Sequence, residues 1–138
     1  MKTNLKLLVV PFFLLAAICF AQDKNNSGRI KAALPAGINL NEAKSVEIRD
    51  EAGNVLLSGS FSNFKAPMSS KDSSSKAKGL AEIEIEKEGK ATKHEIEVEV
   101  EKLPALGTFK LIVDGNELAT FTTSKSGKRA LKYTRTDH

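Results

Sequence analysis

The chain has 138 residues with 21 basic and 17 acidic side chains, a net charge of +4, one tyrosine, one cysteine and no tryptophan. A lone cysteine excludes an internal disulfide framework and a thiolate metal cluster. The shortage of tyrosine and tryptophan leaves little surface on which bases or sugars could stack, so nucleic acid is not an expected partner.

Lys2 and Lys6 precede an apolar run from Leu7 to Phe20 that ends on the small residue Ala21. Basic lead, short apolar core and small exit residue predict a secretory signal peptide over residues 1–21, cleaved after Ala21. The run is shorter than the roughly 20 apolar residues that a spanning helix needs, which makes an uncleaved anchor the lesser reading. Acylation at Cys19 would want a small residue before it, and Ile18 is bulky. The expected product is secreted or periplasmic and meets a membrane only through the signal peptide before cleavage. Without Lys2 and Lys6, 19 of the 21 basic groups face 17 acidic ones, and the charge falls to about +2. That is a weak general attraction for an anionic partner.

Gln22 to Gly28 is polar throughout and predicts a flexible leader, residues 22–28. The remainder, residues 29–138, is long enough for a single domain with one core and no covalent staples. Arg29 to Ala33 reads as a first strand that stops at Leu34-Pro35-Ala36-Gly37, because proline lacks an N–H and glycine permits positive φ. Residues 38–44 suit one helical turn with Asn41 as its cap. From Ser45 to Asp50, Val46 and Ile48 alternate with Glu47 and Arg49, the period of a half-buried strand. Glu51 to Asn54 turns the chain into a partner strand from Val55 to Phe61. Residues 62–78 hold six serines and Pro67 with no apolar period, and predict a mobile loop, read first as a solvated insertion and alternatively as a binding loop with Phe64 and Met68 at its tip.

The cleanest alternation follows. Ala81 to Glu86 and Glu95 to Glu101 switch between apolar and acidic residues without a break, joined by the polar stretch Lys87 to His94. In a strand this puts Ile83, Ile85, Ile96, Val98 and Val100 on one face and the glutamates on the other. A slip of one residue would expose every Ile and Val, so the hairpin's register is strongly set. Leu103-Pro104-Ala105 then leads into strands over 108–113 and 117–123 joined by Asp114-Gly115-Asn116. A last strand runs from Arg129 to Arg135, with Leu131 and Tyr133 inward and Lys132 outward.

Two halves share an order of landmarks. Leu34-Pro35-Ala36 matches Leu103-Pro104-Ala105, Asp50 matches Asp114, Asn54 matches Asn116 and Phe61 matches Phe121. Two related four-strand units, about 29–86 and 95–135, account for this, with insertions confined to connections. Eight short strands with regular turn signals predict an all-β antiparallel sandwich, with a closed barrel as the alternative. The pattern Leu-Pro-Ala, Gly-Thr-Phe, Val-Asp-Gly-Asn, Phe-Thr-Thr and Gly, spread over residues 103–127, resembles small exported bacterial β domains of uncharacterised function. The resemblance covers residues 95–135 well and 30–85 loosely. It implies a fold and carries no site residues.

Seven glutamates, Glu82, Glu84, Glu86, Glu95, Glu97, Glu99 and Glu101, crowd onto one face of the hairpin. Directly opposed like charges across a ladder destabilise it by about 0.2–1 kcal/mol a pair. Lys110, Lys128, Lys132 and Arg135 are the expected relief from neighbouring strands. A Ca²⁺ site built from Glu82, Glu84, Glu97 and Glu99 is the functional alternative, although calcium usually takes six to eight oxygens from curved loops. Lys125, Lys128, Arg129, Lys132 and Arg135 form a basic C-terminal strand that could meet an anionic surface. His94 falls in a polar loop and His138 at the end, neither near a nucleophile motif, so no catalytic residue and no cofactor are expected. The expected function is that of an exported, non-catalytic β-sandwich module with a binding or structural role in the cell envelope or outside the cell, through a partner the sequence does not name.

Overall fold

The computed structural model describes residues 28–138. The expected signal peptide and the leader as far as Ser27 lie outside the described residues. Nine strands follow in order: β1 (Arg29–Ala33), β2 (Ser45–Asp50), β3 (Val55–Ser60), β4 (Lys65–Ser69), β5 (Lys78–Glu88), β6 (Ala91–Glu101), β7 (Thr108–Val113), β8 (Asn116–Thr122) and β9 (Arg129–Asp137). A 3-10 turn, Leu40–Glu42, sits between β1 and β2, capped by Asn39 rather than Asn41: the Asn39 side chain accepts from the Asn41 N–H.

The strands number nine where eight were expected, and all belong to one mixed sheet in the order β1-β9-β6-β5-β4-β3-β2-β7-β8. β1 runs parallel to β9, from Arg29 opposite Ala130 to Ala33 opposite Thr134, and the other neighbours are antiparallel. The sheet curls into a half-barrel around one cluster of buried apolar side chains. Its ladder does not close, since β1 and β8 are edges. Period-two alternation predicts which side chains turn inward but not which strand lies beside which, so the separate sheets of the expected sandwich are joined here.

The curl has a local cause. β3 and β4 are joined by Asn63-Phe64, both at positive φ (51° and 65°), with Ser62 and Lys65 exchanging backbone hydrogen bonds of 2.8 and 3.1 Å. Two left-handed residues make a hairpin turn whose twist suits the flanking strands. Away from the turn the ladder thins to the single pair Ser58 and Ser69. Pro67 has no N–H to donate, and a Cβ on Gly59 would lie 2.2 Å from the Pro67 carbonyl oxygen. Only glycine permits that approach, which lets the hairpin bend the sheet over the core. The expected loop 62–78 therefore contains a strand, and Met68 is a core residue at 2% exposure rather than a loop tip.

β5 and β6 pair over eleven residues each, with Gly89-Lys90 as the turn, so most of the expected loop Lys87–His94 is ladder. Ile83, Ile96, Val98 and Val100 are buried as the alternation requires, with Ile85 half-buried near the turn. In the β7–β8 hairpin Phe109 faces Phe121, ring centres 6.0 Å apart. Asp114, at its turn, accepts from the backbone N–H groups of Lys44 and Ser45 at 2.8 and 2.9 Å and so ties this hairpin to β2. Thr123, fully buried, donates its hydroxyl to the Pro104 carbonyl at 2.6 Å and accepts from the Gly107 N–H at 3.0 Å.

Gly127 (φ +76°) lies where a Cβ would be 2.1 Å from the Leu103 carbonyl oxygen. Gly127→Ala is expected to lower unfolding free energy by about 3 kcal/mol or more in urea titration, through combined strain and clash. Gly37→Ala, with open space around it, should stay within about 0.5 kcal/mol of wild type.

Candidate functional site

The outer face of β1, β9, β6, β5 and β4 carries the charges. Across β5 and β6, Glu82 stands opposite Glu97 and Glu84 opposite Glu95, the like-charge pairs that alternation predicts. Arg29 relieves the first, with Nη1 2.6 Å from Glu97 and Nη2 3.1 Å from Glu99. It reaches them because β1 lies beside β9, so Arg29, Ala130, Glu99 and Leu80 form one row across four strands. Lys65 lies 3.4 Å from Glu82 and Lys78 3.3 Å from Glu101.

Glu95 is the unusual member, 5% exposed on the outward face. Lys93 and Lys132 cover it at 3.5 and 3.3 Å, and the Thr134 hydroxyl is 3.4 Å away. A carboxylate so buried needs such partners, because desolvation disfavours its charge. The attraction and hydrogen bond of Glu95 raise the Lys93 pKa above its ordinary 10.5, against a smaller opposing effect of burial. Two other shifts are local to turns. Asp50 is lowered by hydrogen bonds from Asn54, and Asp72 by hydrogen bonds from Ser74.

The basic strand is divided. Lys125 and Lys128 are exposed. Lys132 serves Glu95. Arg129 is 1% exposed; its Nε donates to the Thr122 carbonyl at 2.7 Å and its Nη1 to the Gly28 carbonyl at 3.1 Å. That guanidinium joins the end of β8 to the entrance of β1. Arg135 donates from Nη1 to the carbonyls of Pro35 and Ile38 at 2.9 and 3.1 Å, holding the loop after β1. Three of the five basic candidates thus hold the fold together. Of the expected charge relief, Lys132 serves the glutamate face, Lys110 pairs instead with Glu117 at 3.6 Å, and Arg29 and Lys93 do most of the rest.

His94 is 6% exposed, in β6 and not in a loop. Its Nε2 lies 3.2 Å from Asp137 and its Nδ1 has no hydrogen-bond partner. Among the described residues no three His, Cys, Asp or Glu side chains are grouped to hold a metal ion, and Glu97 and Glu99 of the proposed calcium set are held by Arg29. No described helix is long and apolar enough to cross a membrane.

At one end of this face, where Ala130 is the short side chain in its row, lies a groove of about 440 Å³ lined by Lys78, Leu80, Glu99, Glu101, Lys128 and Ala130. Glu99 and Glu101 are paired with Arg29 and Lys78, whereas Lys128 makes no salt bridge among the described residues. Leu80 is among the more exposed large apolar residues. A polar hollow of about 560 Å³ between Asn39, Glu42, Lys44, Asp114 and Asn116 lies elsewhere. No family model, curated protein or solved structure matches the chain.

Arg29→Ala is expected to lower stability by about 1 kcal/mol at low ionic strength, as for a good exposed pair. The loss should shrink in about 1 M NaCl, where screening acts within ~3 Å. For Lys93 the raised pKa sets the sign: its contribution is full below 10.5 and fades as pH climbs through the raised value. Thermal midpoints of wild type and Lys93→Met should differ at neutral pH and converge in strong alkali.

Proposed function

We propose that the chain is an exported, non-catalytic β module that works by binding or structural association in the cell envelope or outside the cell. Its contact surface is the outer face of β5, β6 and β9. The observation that carries this is the groove between Leu80, Ala130 and Lys128, where apolar surface and an ammonium without a salt bridge lie together. Its volume falls in the range of ligand pockets, roughly 300–1,000 Å³. Export rests on the pattern of residues 1–21, and a bacterial origin on the resemblance of residues 95–135 to exported β domains. The two-layer arrangement of the fold is part of the same reading: β1-β9-β6-β5-β4 and β3-β2-β7-β8 share one core and are linked by the Ser58–Ser69 pair and the Ser62–Lys65 bridge at the turn. The cation-binding alternative has less support, since Arg29 occupies two of its four carboxylates.

Intact mass of the exported protein should begin at Gln22. A photo-cross-linking residue at position 80 should give discrete adducts in the envelope or secreted fraction. Lys128→Glu should abolish them and leave the thermal midpoint in place. A cytoplasmic product that retains Met1 would contradict export, and absence of adducts from position 80 would contradict the groove.

A further inference from the structure

β5 is eleven residues long, but β4 pairs with it only from Lys78 to Glu82. One further bond follows, from the Ile83 N–H to the Phe64 carbonyl at 2.8 Å. There the chain turns at Asn63-Phe64 back toward β3, and among the described residues no strand lies beside Glu84–Glu88 on that side. In an antiparallel ladder, alternate residues point both backbone groups at the same neighbour. Ile83 points its N–H at Phe64, so by the same alternation Ile85 and Lys87 point theirs away from β6 into the vacant lane, beyond the last β4 pairing at Glu82.

This step in the sheet is built rather than frayed. On its other side β5 stays paired to β6 as far as Glu88 and Ala91, and β6 is backed by β9 as far as Thr92 and Asp137. At the foot of the lane Phe64 is 48% exposed and holds φ +65°, a region that bulky side chains rarely occupy and that recurs at functional positions. Glu84, Glu86 and Glu88 border the lane on the outer face and half-buried Ile85 on the inner one. Glu84 and Glu88 make no salt bridge among the described residues, and Glu86 has one contact of 3.9 Å with Lys93. Lys65, the last β4 residue before the gap, stands opposite Glu82 with its ammonium 3.4 Å away. The one β5 glutamate that β4 does cover on that face thus has a cation opposite it.

We propose that the vacant lane beside Glu84–Glu88 accepts an extended segment of a partner protein by strand addition. The segment carries Lys or Arg at alternate positions opposite the glutamates and apolar residues between them, facing Ile85. Two copies of this chain joined through their β5 edges would set glutamate against glutamate, which disfavours self-association there. The proposal rests on the chain being a binding module and names the class of partner.

The probe is a capped peptide of three Lys-Val repeats, compared with three Glu-Val repeats, on the purified protein. The basic peptide should bind at least about tenfold more tightly by fluorescence anisotropy and slow amide exchange at Ile85 and Lys87. Lys87→Pro should abolish both effects without unfolding the hairpin, since the Lys87 N–H faces away from β6. Glu84→Lys with Glu88→Lys should reverse the preference between peptides. Equal binding of the two peptides, binding without slower exchange at those two amides, or binding indifferent to Lys87→Pro would overturn strand addition. If the basic peptide fails while cross-links from position 80 form, strand addition falls and the binding module stands; if both fail, both proposals fall.

Discussion

A nine-stranded sheet can surround a core only where its backbone bends, and here the bend depends on Gly59 passing against the Pro67 carbonyl. Any side chain at position 59 would collide with that oxygen. The same proline lacks the N–H that would extend the β3–β4 ladder, which is reduced to Ser58 and Ser69. Weak pairing and close approach therefore occur together, and both favour a corner over a flat sheet. The inward residues of this hairpin, Leu57, Ala66 and Met68, join the same core as Val98 and Leu131 from the other end of the sheet. Because β4 is only five residues long, the corner also leaves β5, with eleven, longer than its neighbour. Enclosure of the core and the vacant lane are two results of one short strand.

The outer face answers a second constraint. Alternating glutamates give a well-defined register, but they also set Glu82 against Glu97 and Glu84 against Glu95. Arg29 reaches across β9 to two carboxylates of β6, and Glu95 is sealed beneath Lys93 and Lys132. Compensation is densest on β6, flanked by β5 and β9, and thinnest on the part of β5 toward the turn that β4 does not reach. A face that is neutralised over most of its area directs attention to the places where charge is left over: Lys128 at the groove, and Glu84 and Glu88 at the step.

Much of this was legible in the sequence. β1, β2 and β7 begin and end where their alternation and turn residues place them, and the inward set of the β5–β6 hairpin follows from its period. β4 was not legible, because Ala66 and Met68 offer only two inward positions around a proline among serines. Strand partners were hidden as well. Nothing local tells that β1 pairs in parallel with β9, so Arg29 was overlooked as the counter-charge to Glu97, 68 residues away. For other residues the alternation itself carries the signal. If Leu131 and Tyr133 point inward, the same alternation turns Arg129 and Arg135 inward, where they bind carbonyls rather than solvent. By the same rule His94 shares the face of Ile96 and Val98.

The vacant lane links fold to function, because a sheet interrupted on one side and rigid on the other is a ready template for an extended chain. Residue-resolved amide exchange of the protein alone tests this geometry most directly. Glu84 and Glu86, whose N–H groups face β6, should exchange slowly, while Ile85 and Lys87, which face the lane, should exchange close to the rate of an open chain. Equal protection of all four amides would mean that a strand already lies beside β5, and the corner, the step and the docking lane would all be wrong.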